Sequence, residues 1–323
     1  MNPTIYVIGS SNMDLITTSD RIPQAGETIT GNAFFTRCGG KGCNQAVAVA
    51  KLCADPSKMR FLSCIGDDPN GHELIRHIKA NHVCVDAVQI LPSASTGTAS
   101  ICIDATGENS IIVVGGANAQ FSSQLFDSIP VASSCRVVVL QEEIPIPTIR
   151  HILSVCKQRG IVTILNPAPA SPELTLEDPS FDCVDVLIPN ETESQLIAGV
   201  RNGESFETMM DIMTAKHPNQ IVIMTCGKKG ALIGRGQERF AVACPSVKVR
   251  DTVGAGDCFV GTFAYLLDLS LADRRLPEIP LAAIKEMVQK SCYASSYSVQ
   301  FKGGFDKYPS SVIDTWDESR LVD

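Results

Sequence analysis

The sequence predicts an α/β protein with a mainly parallel central sheet and helices on both of its faces. Short apolar runs typical of buried parallel strands recur at Ile5–Gly9, Arg60–Ile65, Arg136–Leu140, Ile161–Leu165, Val184–Ile188 and Ile221–Thr225. Segments with helical periodicity lie between many of these runs, at Asn44–Leu52, Gly71–Ala80, Ile146–Gln158 and Glu191–Ala198. Strands that alternate with helices in this way form βαβ units, which build a parallel sheet covered by helices.

Two stretches depart from this alternation. Glu27–Arg37 and Thr98–Val114 have strand-like residues and glycine turns without a crossover helix, and Ala105–Asn109 is a predicted hairpin turn. We expect a small β-sheet lid from about residues 14–38 and 97–115, standing off a single α/β domain that spans residues 1–323. Further strands are predicted at residues 231–236 and 239–249, followed by helices from about Gly256 and at Leu281–Val299.

The overall charge of the chain restricts its partners. Its 323 residues carry a formal net charge of −8, which argues against nucleic acid or a membrane surface as a partner. The 13 cysteines show no CxxC spacing, so we interpret them as small buried residues of a protein in a reducing compartment. We find no signal peptide and no apolar run long enough to span a membrane, and expect a cytoplasmic protein.

The strongest local motif is DTVGAGD at Asp251–Asp257, which precedes an apolar helical segment. Gly254, Ala255 and Gly256 are small, so their backbone N–H groups can approach a ligand closely at the positive end of the helix dipole. This arrangement suits negative charge on a transferring phosphoryl group. Asp257 is interpreted either as a helix cap or as a general base for an alcohol nucleophile.

Two polar motifs point to a small polar ligand. GGKGCNQA at Gly39–Ala46 fits neither the Walker A pattern nor GxGxxG, so it predicts either a tight turn or a site for a sugar. SSNMD follows the first predicted strand, where ligands bind in open α/β sheets. Asn12 and Asp14 in this motif could hold a diol, or could form a local turn through their side chains.

A third polar motif, PNETE, follows the predicted strand that ends at Ile188. Asn190 and Glu193 are spaced as an N-cap with its capping box. Amide and carboxylate oxygens are also ligands for a hydrated Mg²⁺ ion beside phosphates. The sequence leaves both interpretations open.

These motifs, in this order, resemble the ribokinase-like (phosphofructokinase B) family of sugar kinases. The resemblance runs from about Ile5 to about Pro309, and PQAGETITGNAFFTRCGGKGCNQAVAVAK is closer to members that act on ribose than to fructokinases or adenosine kinases. It implies a Rossmann-like three-layer domain with a β-sheet lid, which in the family often pairs with a second subunit's lid in a homodimer. The implied reaction is ATP-dependent phosphorylation of D-ribose at its 5-hydroxyl.

The resemblance also assigns roles to individual residues. Asp257 matches the catalytic base, and Gly254, Ala255 and Gly256 match the anion hole. The positions that match the ribose-binding residues, besides Asp257, are Asn12, Asp14, Gly40, Lys41, Asn44 and Glu143. The positions that match the ATP side are Asn190, Glu193, Thr225, Gly227, Gly230 and Gly256, with Glu193 reaching Mg²⁺ through water.

The family is also activated by a monovalent cation, usually K⁺. Asp251 and the carbonyl of Val253 match two of its ligands, and Ser298 and Gly303 match later ones. The family often has a serine near Lys307, and an ammonium group cannot bind a cation, so this sequence departs from the pattern there.

Three other functions differ in what they require of the sequence. A sister kinase would phosphorylate 2-deoxyribose, fructose or a nucleoside such as adenosine. A non-catalytic sugar-binding protein would have no use for the base and anion hole of DTVGAGD. A nicotinamide-dependent dehydrogenase requires GxGxxG after a strand, and VIGSSNMD lacks it.

Overall fold

Strands and helices alternate along most of the chain. The structure, a computed structural model, describes residues 3–201 and 203–301. The strands are β1 (Ile5–Ile8), β2 (Asn12–Thr18), β3 (Ala33–Gly39), β4 (Met59–Gly66), β5 (Val88–Leu91), β6 (Gly97–Ile103), β7 (Asn109–Val114), β8 (Val137–Gln141), β9 (Val162–Asn166), β10 (Val186–Leu187), β11 (Ile221–Thr225), β12 (Ala231–Arg235) and β13 (Glu238–Val242). The α-helices are α1 (Lys41–Leu52), α2 (Pro69–Ala80), α3 (Ser123–Ser128), α4 (Ile146–Arg159), α5 (Glu191–Ala198), α6 (Phe206–Lys216), α7 (Ala255–Ser270) and α8 (Leu281–Ser298).

Nine of the described strands form the main sheet, in the order β13-β12-β11-β10-β9-β8-β1-β4-β5. The seven neighbouring strands from β11 to β5 at the end of this order all pair in parallel. Strands β12 and β13, at the other edge, pair antiparallel. Strands β4 and β5, which come first along the chain, lie on one side of β1, and the later strands β8 to β13 lie on the other side. The strand order therefore reverses next to β1, and in open α/β sheets this is where a ligand crevice forms.

Alternate residues of the central strands enter two separate cores. In β1, Ile5 and Val7 pack with α1, α2, α7 and α8, whereas Tyr6 and Ile8 pack with α3, α4, α5 and α6. This alternation follows from the two-residue period of a strand, which sends successive side chains to opposite faces. The three-layer α/β fold with a mainly parallel sheet is confirmed.

A separate four-stranded sheet has the order β3-β2-β6-β7. The hairpin between β6 and β7 is confirmed, with Asp104 accepting hydrogen bonds from the backbone N–H groups of Thr106 and Glu108 in the turn. The predicted strand at Glu27–Arg37 is wrong over its first half, because residues 27–32 form no strand and β3 begins at Ala33. This sheet buries Met13 and Ile16 but leaves other apolar residues uncovered, with Phe34 66% and Ile112 68% exposed.

The turn interpretation of Asn12 and Asp14, one of the two left open, and part of one predicted strand differ from the structure. Asn12 and Asp14 lie in β2 rather than in a turn, because β3 and β6 supply hydrogen-bonding partners along both edges of this segment. The predicted strand at residues 239–249 ends at Val242, and residues 243–249 are irregular. Pro245 lies in that segment and has no N–H to donate to a neighbouring strand. No helix in the described ranges has the length and apolarity needed to cross a bilayer.

Candidate active site

Most of the predicted site residues meet at the carboxyl edge of the main sheet, beside the point where the strand order reverses. A cavity of about 250 Å³ opens there. Its walls are Lys41, Asn166, Ala168, Ile188, Asn190, Glu193, Thr225, Thr252, Gly254, Ala255, Gly256, Asp257 and Val260. The cavity therefore combines the beginnings of α1, α5 and α7, which bring positive helix ends to one space.

The beginning of α7 forms one wall of this cavity. Gly254 is the N-cap residue with φ of 73°, a left-handed conformation that favours glycine. A Cβ atom built on Gly256 would meet no atom within 4 Å, so the first turn of α7 faces open space. First-turn N–H groups have no partner within their own helix, and here they border a cavity that can hold an anion.

Asp257 lies in that first turn but does not cap it. Its side chain is 7% exposed, lines the cavity, and accepts hydrogen bonds from Asn44 Nδ2 at 2.9 Å and Gln45 Nε2 at 3.0 Å. The capping interpretation is wrong, because the N-cap position is Gly254 and no side chain caps α7. Both donors are neutral amides of α1, so hydrogen bonds fix the carboxylate in position.

Helices α1 and α7 approach closely enough for these hydrogen bonds because Gly261 has no side chain. A Cβ atom there would lie 2.5 Å from Ala48 Cβ and 2.9 Å from Gln45 O. The close packing of these two helices thus places Asn44 and Gln45 against Asp257. The glycine in CFVGTFAYLL is a structural requirement of the site.

A series of hydrogen-bonded side-chain amides holds Gln45 in place against Asp257, and the sequence did not predict it. Gln141 Nε2 donates to Gln45 Oε1 at 2.7 Å, and Gln45 Nε2 also donates to Asn166 Oδ1 at 3.0 Å. Asn166 Nδ2 in turn donates to the carbonyl of Ile188 at 2.8 Å. Gln141 and Asn166 end β8 and β9, and a polar residue at the carboxyl end of an apolar strand is the signal that could have found them.

Asn12 and Asp14 project from β2, where the small sheet meets the main domain. Asn12 Oδ1 accepts from Asn118 Nδ2 at 2.8 Å. A Cβ atom on Gly39 would lie 2.6 Å from Asp14 Oδ2, so β3 requires glycine beside this carboxylate. Burial and the nearby Glu143 carboxylate raise the pKa of Asp14 to about 6, although Arg37 acts in the opposite direction.

Glu143 and Lys41 connect that region to the cavity. Glu143 Oε2 accepts from Ser10 Oγ at 2.5 Å and from the backbone N–H of Lys41 at 2.9 Å. Gly40 precedes Lys41 with φ of 89°, and a Cβ atom there would lie 2.8 Å from the backbone nitrogen of Asn12. The predicted sugar-binding residues are therefore adjacent, although in this group only Lys41 and Asp257 line the cavity itself.

Lys41 is the positive centre among the acidic side chains of this site. Burial acts to lower the pKa of its ammonium group, but the carboxylates of Asp257, Glu143 and Glu193 outweigh burial and raise that pKa. Lys41 therefore remains charged at neutral pH. A cation in this position can attract a phosphate or pair with a sugar oxygen.

Asn190 and Glu193 form the capping box of α5 and also line the cavity. Asn190 Oδ1 accepts from Glu193 N at 2.9 Å, while Glu193 accepts from the backbone N–H of Asn190 at 2.8 Å and from its Nδ2 at 2.9 Å. Burial raises the pKa of Glu193, against the effects of the Asn190 N–H and of Lys41. Capping and ligand binding are compatible here, because each carboxylate oxygen retains a second lone pair.

Thr225 also lines the cavity, whereas Gly227 and Gly230 do not. Thr225 ends β11 and bonds through its N–H to the carbonyl of Pro189 at 2.9 Å. Gly227 and Gly230 have φ of 55° and 95°, and a Cβ on Gly230 would lie 1.9 Å from Val242 O. The backbone path into β12 thus explains Gly230 without any ligand.

Three of the predicted cation ligands lie on adjoining segments. The N–H of Asp251 donates to Val299 O at 3.2 Å, which places Asp251 next to Ser298, and Asp251 Oδ1 accepts from Val253 N at 3.0 Å. Arg37 Nη2 lies 3.5 Å from Asp251 Oδ2. Gly303 and Lys307 are outside the described residues. Among those described, His, Cys, Asp and Glu side chains form no cluster of three or more that could hold a metal ion.

Comparison with known proteins identifies the family of the chain. Residues 2–310 match the family described as pfkB family carbohydrate kinase. The chain belongs to the pfkB family of carbohydrate kinases. Its family relatives include a deoxyribokinase of Salmonella typhi, 35% identical over 95% of each chain, and a ribokinase of Mus musculus, 33% identical over 94% of this chain and 91% of the other.

A solved structure of a ribokinase from Arabidopsis thaliana, complexed with ribose and ATP, superposes on this pfkB-family chain with a TM-score of 0.82. The two chains are 28% identical, and the alignment covers 98% of this chain and 100% of the other. The two proteins therefore share the three-layer fold over nearly their whole lengths.

Proposed function

We propose that this enzyme transfers the terminal phosphoryl group of ATP to the 5-hydroxyl of D-ribose, giving ribose 5-phosphate and ADP. The observation that carries the proposal is the position of Asp257: a carboxylate held by two amides at the beginning of α7, beside the backbone of Gly254–Gly256 and within a cavity. A carboxylate beside an anion site is the arrangement that phosphoryl transfer to an alcohol requires. The family match and the kinases among its relatives support the same reaction.

In the proposed mechanism Asn12, Asp14, Gly40, Lys41, Asn44 and Glu143 hold the sugar. Asp257 accepts the proton of the 5-hydroxyl as that oxygen attacks the terminal phosphorus in line. The N–H groups at Gly254–Gly256 then stabilise the negative charge on the transferred group. Closure of the small sheet over the sugar excludes water, which limits hydrolysis of ATP.

The nucleotide is proposed to lie along Asn190, Glu193, Thr225, Gly227 and Gly230. Glu193 suits a hydrated Mg²⁺ ion better than a directly bound one, because both of its oxygens already accept hydrogen bonds from Asn190. When bound, Mg²⁺ supplies positive charge against the phosphates. Lys41, which lines the same cavity, adds a second positive charge.

We propose activation by K⁺ near Asp251, Val253, Ser298 and Gly303. A carboxylate and backbone carbonyls suit such a cation, and the Asp251–Val299 hydrogen bond holds the two segments together. Arg37 competes for the same carboxylate, so K⁺ binding must weaken that ion pair. This competition would couple the cation to β3 and thus to the small sheet.

The small sheet is also the proposed homodimer contact. Its outer strand β7 exposes Ile111, Ile112, Val113 and Val114, each by half or more. A patch of this kind on a sheet edge favours pairing with another chain. We also propose a cytoplasmic location, in keeping with thirteen cysteines of which none forms a disulfide.

A pentose panel tests the proposed reaction. Release of ADP would be followed with ribose, 2-deoxyribose, fructose and adenosine, each with and without K⁺. We expect the highest kcat/KM with ribose and a lower rate without K⁺. If no acceptor increased ATP consumption, the chain would instead be a sugar-binding protein without catalysis.

The second candidate acceptor is 2-deoxyribose. The observation that favours it is the identity of 35% to a deoxyribokinase over 95% of this chain, which lies between the identities of 33% to the mouse ribokinase and 37% to a Bacillus subtilis ribokinase. A site that hydrogen-bonds a substrate hydroxyl rejects an analogue that lacks it. A higher kcat/KM with 2-deoxyribose than with ribose would therefore replace the first proposal by the second.

The raised pKa of Asp14 predicts how sugar binding depends on pH. Because its pKa is raised to about 6, the side chain is ionised above that pH and protonated below it. Only the ionised form offers both oxygens to sugar hydroxyls, so kcat/KM for ribose should fall as the pH decreases through about 6. Asp14→Asn should be slower at neutral pH and lack this limb of the profile, and an unchanged limb would assign it to another group.

A further inference from the structure

Cys244 and Cys292 form a thiol pair outside the proposed active site. Cys244 belongs to the irregular segment 243–249 after β13, and Cys292 belongs to α8. Cys244 Sγ lies 3.7 Å from the carbonyl oxygen of Cys292 and 2.9 Å from Ser296 Oγ, one turn further along the helix. The two thiols also interact with each other directly.

Cys244 combines a lowered pKa with partial exposure to solvent. The hydrogen bond with the Cys292 thiol, helped by Ser296 and opposed by burial, lowers the pKa of Cys244 to about 7. Burial instead raises the pKa of Cys226 to about 11 and that of Cys64 to about 12. Cys244 is half-buried and follows the exposed residue Ala243, whereas Cys292 is buried. Thiolate character together with access is what makes a cysteine reactive.

We propose that Cys244 and Cys292 are a redox modification site, in which a hydroperoxide converts the two thiols into a reversible disulfide. The Cys244 thiolate attacks the peroxide, forming an S–O bond as the O–O bond breaks, and gives a sulfenic acid with release of water or alcohol. The Cys292 sulfur then attacks the sulfenic sulfur, forming the S–S bond and releasing water. Two thiols and one hydroperoxide thus become one disulfide, one molecule of water from the second step, and one molecule of water or alcohol from the first.

Cys292 lies on a helix that hydrogen-bonds to the proposed catalytic region, so a crosslink at Cys292 could disturb that region. After Cys292, the same helix leads to Ser295, whose Oγ donates to the carbonyl of Ala255 at 2.7 Å in the first turn of α7. Val299 O accepts from the N–H groups of Arg250 and Asp251 at 2.8 and 3.2 Å. A disulfide has a narrow geometry, so we expect its formation to shift segment 243–249 relative to α8, which Cys244 already contacts, and to disturb these hydrogen bonds.

The resulting expectation is loss of turnover on oxidation and its return on reduction. This loss reflects displacement of the Gly254–Asp257 turn and of Asp251, so it should affect kcat and K⁺ activation together. The irregular backbone of residues 243–249 allows the movement, because no strand ladder holds these residues in place.

The experiment treats the purified full-length chain with hydrogen peroxide, alkylates remaining thiols and maps peptides by mass spectrometry. We expect a crosslinked peptide pair containing Cys244 and Cys292, with activity lost in proportion to the crosslinked fraction and restored by dithiothreitol. Cys244→Ser keeps a hydroxyl beside Ser296 and should resist both changes. Cys292→Ala serves as a second variant that also removes the crosslink.

Cys183→Ser is the matched control, since Cys183 is likewise half-buried but burial raises its pKa. This variant should form the crosslink and lose activity as the parent chain does. Absence of the Cys244–Cys292 peptide after peroxide would overturn the proposal, as would equal inactivation of Cys244→Ser. Detection of the crosslink does not depend on the identity of the sugar substrate.

Discussion

Asp257→Asn should lower kcat by at least ~10²–10⁴-fold while leaving ATP binding largely intact. Asparagine has the size of aspartate but cannot accept the proton of the sugar hydroxyl. Its amide nitrogen would in addition face the donors Asn44 Nδ2 and Gln45 Nε2, which now donate to the two carboxylate oxygens. Steady-state kinetics with ribose and equilibrium binding of ATP measure the two quantities separately.

The matched control lies on the same helix. Asp268 is also buried, but it sits at the far end of α7, where it pairs with Arg136 at 2.9 Å and accepts from Thr4 Oγ1 at 2.9 Å. Asp268→Asn removes a buried charge without touching the cavity, so it should reduce stability and leave kcat per folded molecule unchanged. Normal turnover by Asp257→Asn would show that another group is the base.

Gly42→Ala should strongly destabilise the beginning of α1. A Cβ atom at this position would lie 2.5 Å from the backbone carbon of Gly9 and 2.6 Å from the backbone nitrogen of Ser10. Main chain cannot move aside as a flexible side chain can, so we expect the free energy of unfolding to fall by about 1–3 kcal/mol or more. Urea denaturation followed by circular dichroism measures this change.

Gly256→Ala provides the comparison, because it is the second residue of α7 as Gly42 is the second residue of α1. No atom lies within 4 Å of a Cβ atom there, and alanine is favoured over glycine in a helix by roughly 0.5–1 kcal/mol. Its stability should therefore stay level or rise, whatever happens to activity. Equal stability of the two variants would mean that α1 does not pack on residues 9–10 as described.

The layered α/β fold and the main polar motifs could be predicted from the order of residues. Apolar runs such as Ile5–Gly9 indicate buried strands because both faces of a parallel sheet are covered. The motifs around Lys41, Asn190 and Asp257 could be recognised as candidate ligand sites because each follows a strand or begins a helix. Backbone groups at these positions are available to a ligand. These are local properties, and residue order alone encodes them.

The way in which these motifs combine depends on the packing of segments that are distant along the chain. The sequence left Asp257 as a cap or a base, and the packing of α1 on α7 placed it against Asn44 and Gln45 instead of the helix end. Asn12 and Asp14 became part of a strand because β3 and β6, which are distant along the chain, pair with them. Hydrogen bonds between distant segments depend on three-dimensional proximity, which no local pattern of residues specifies.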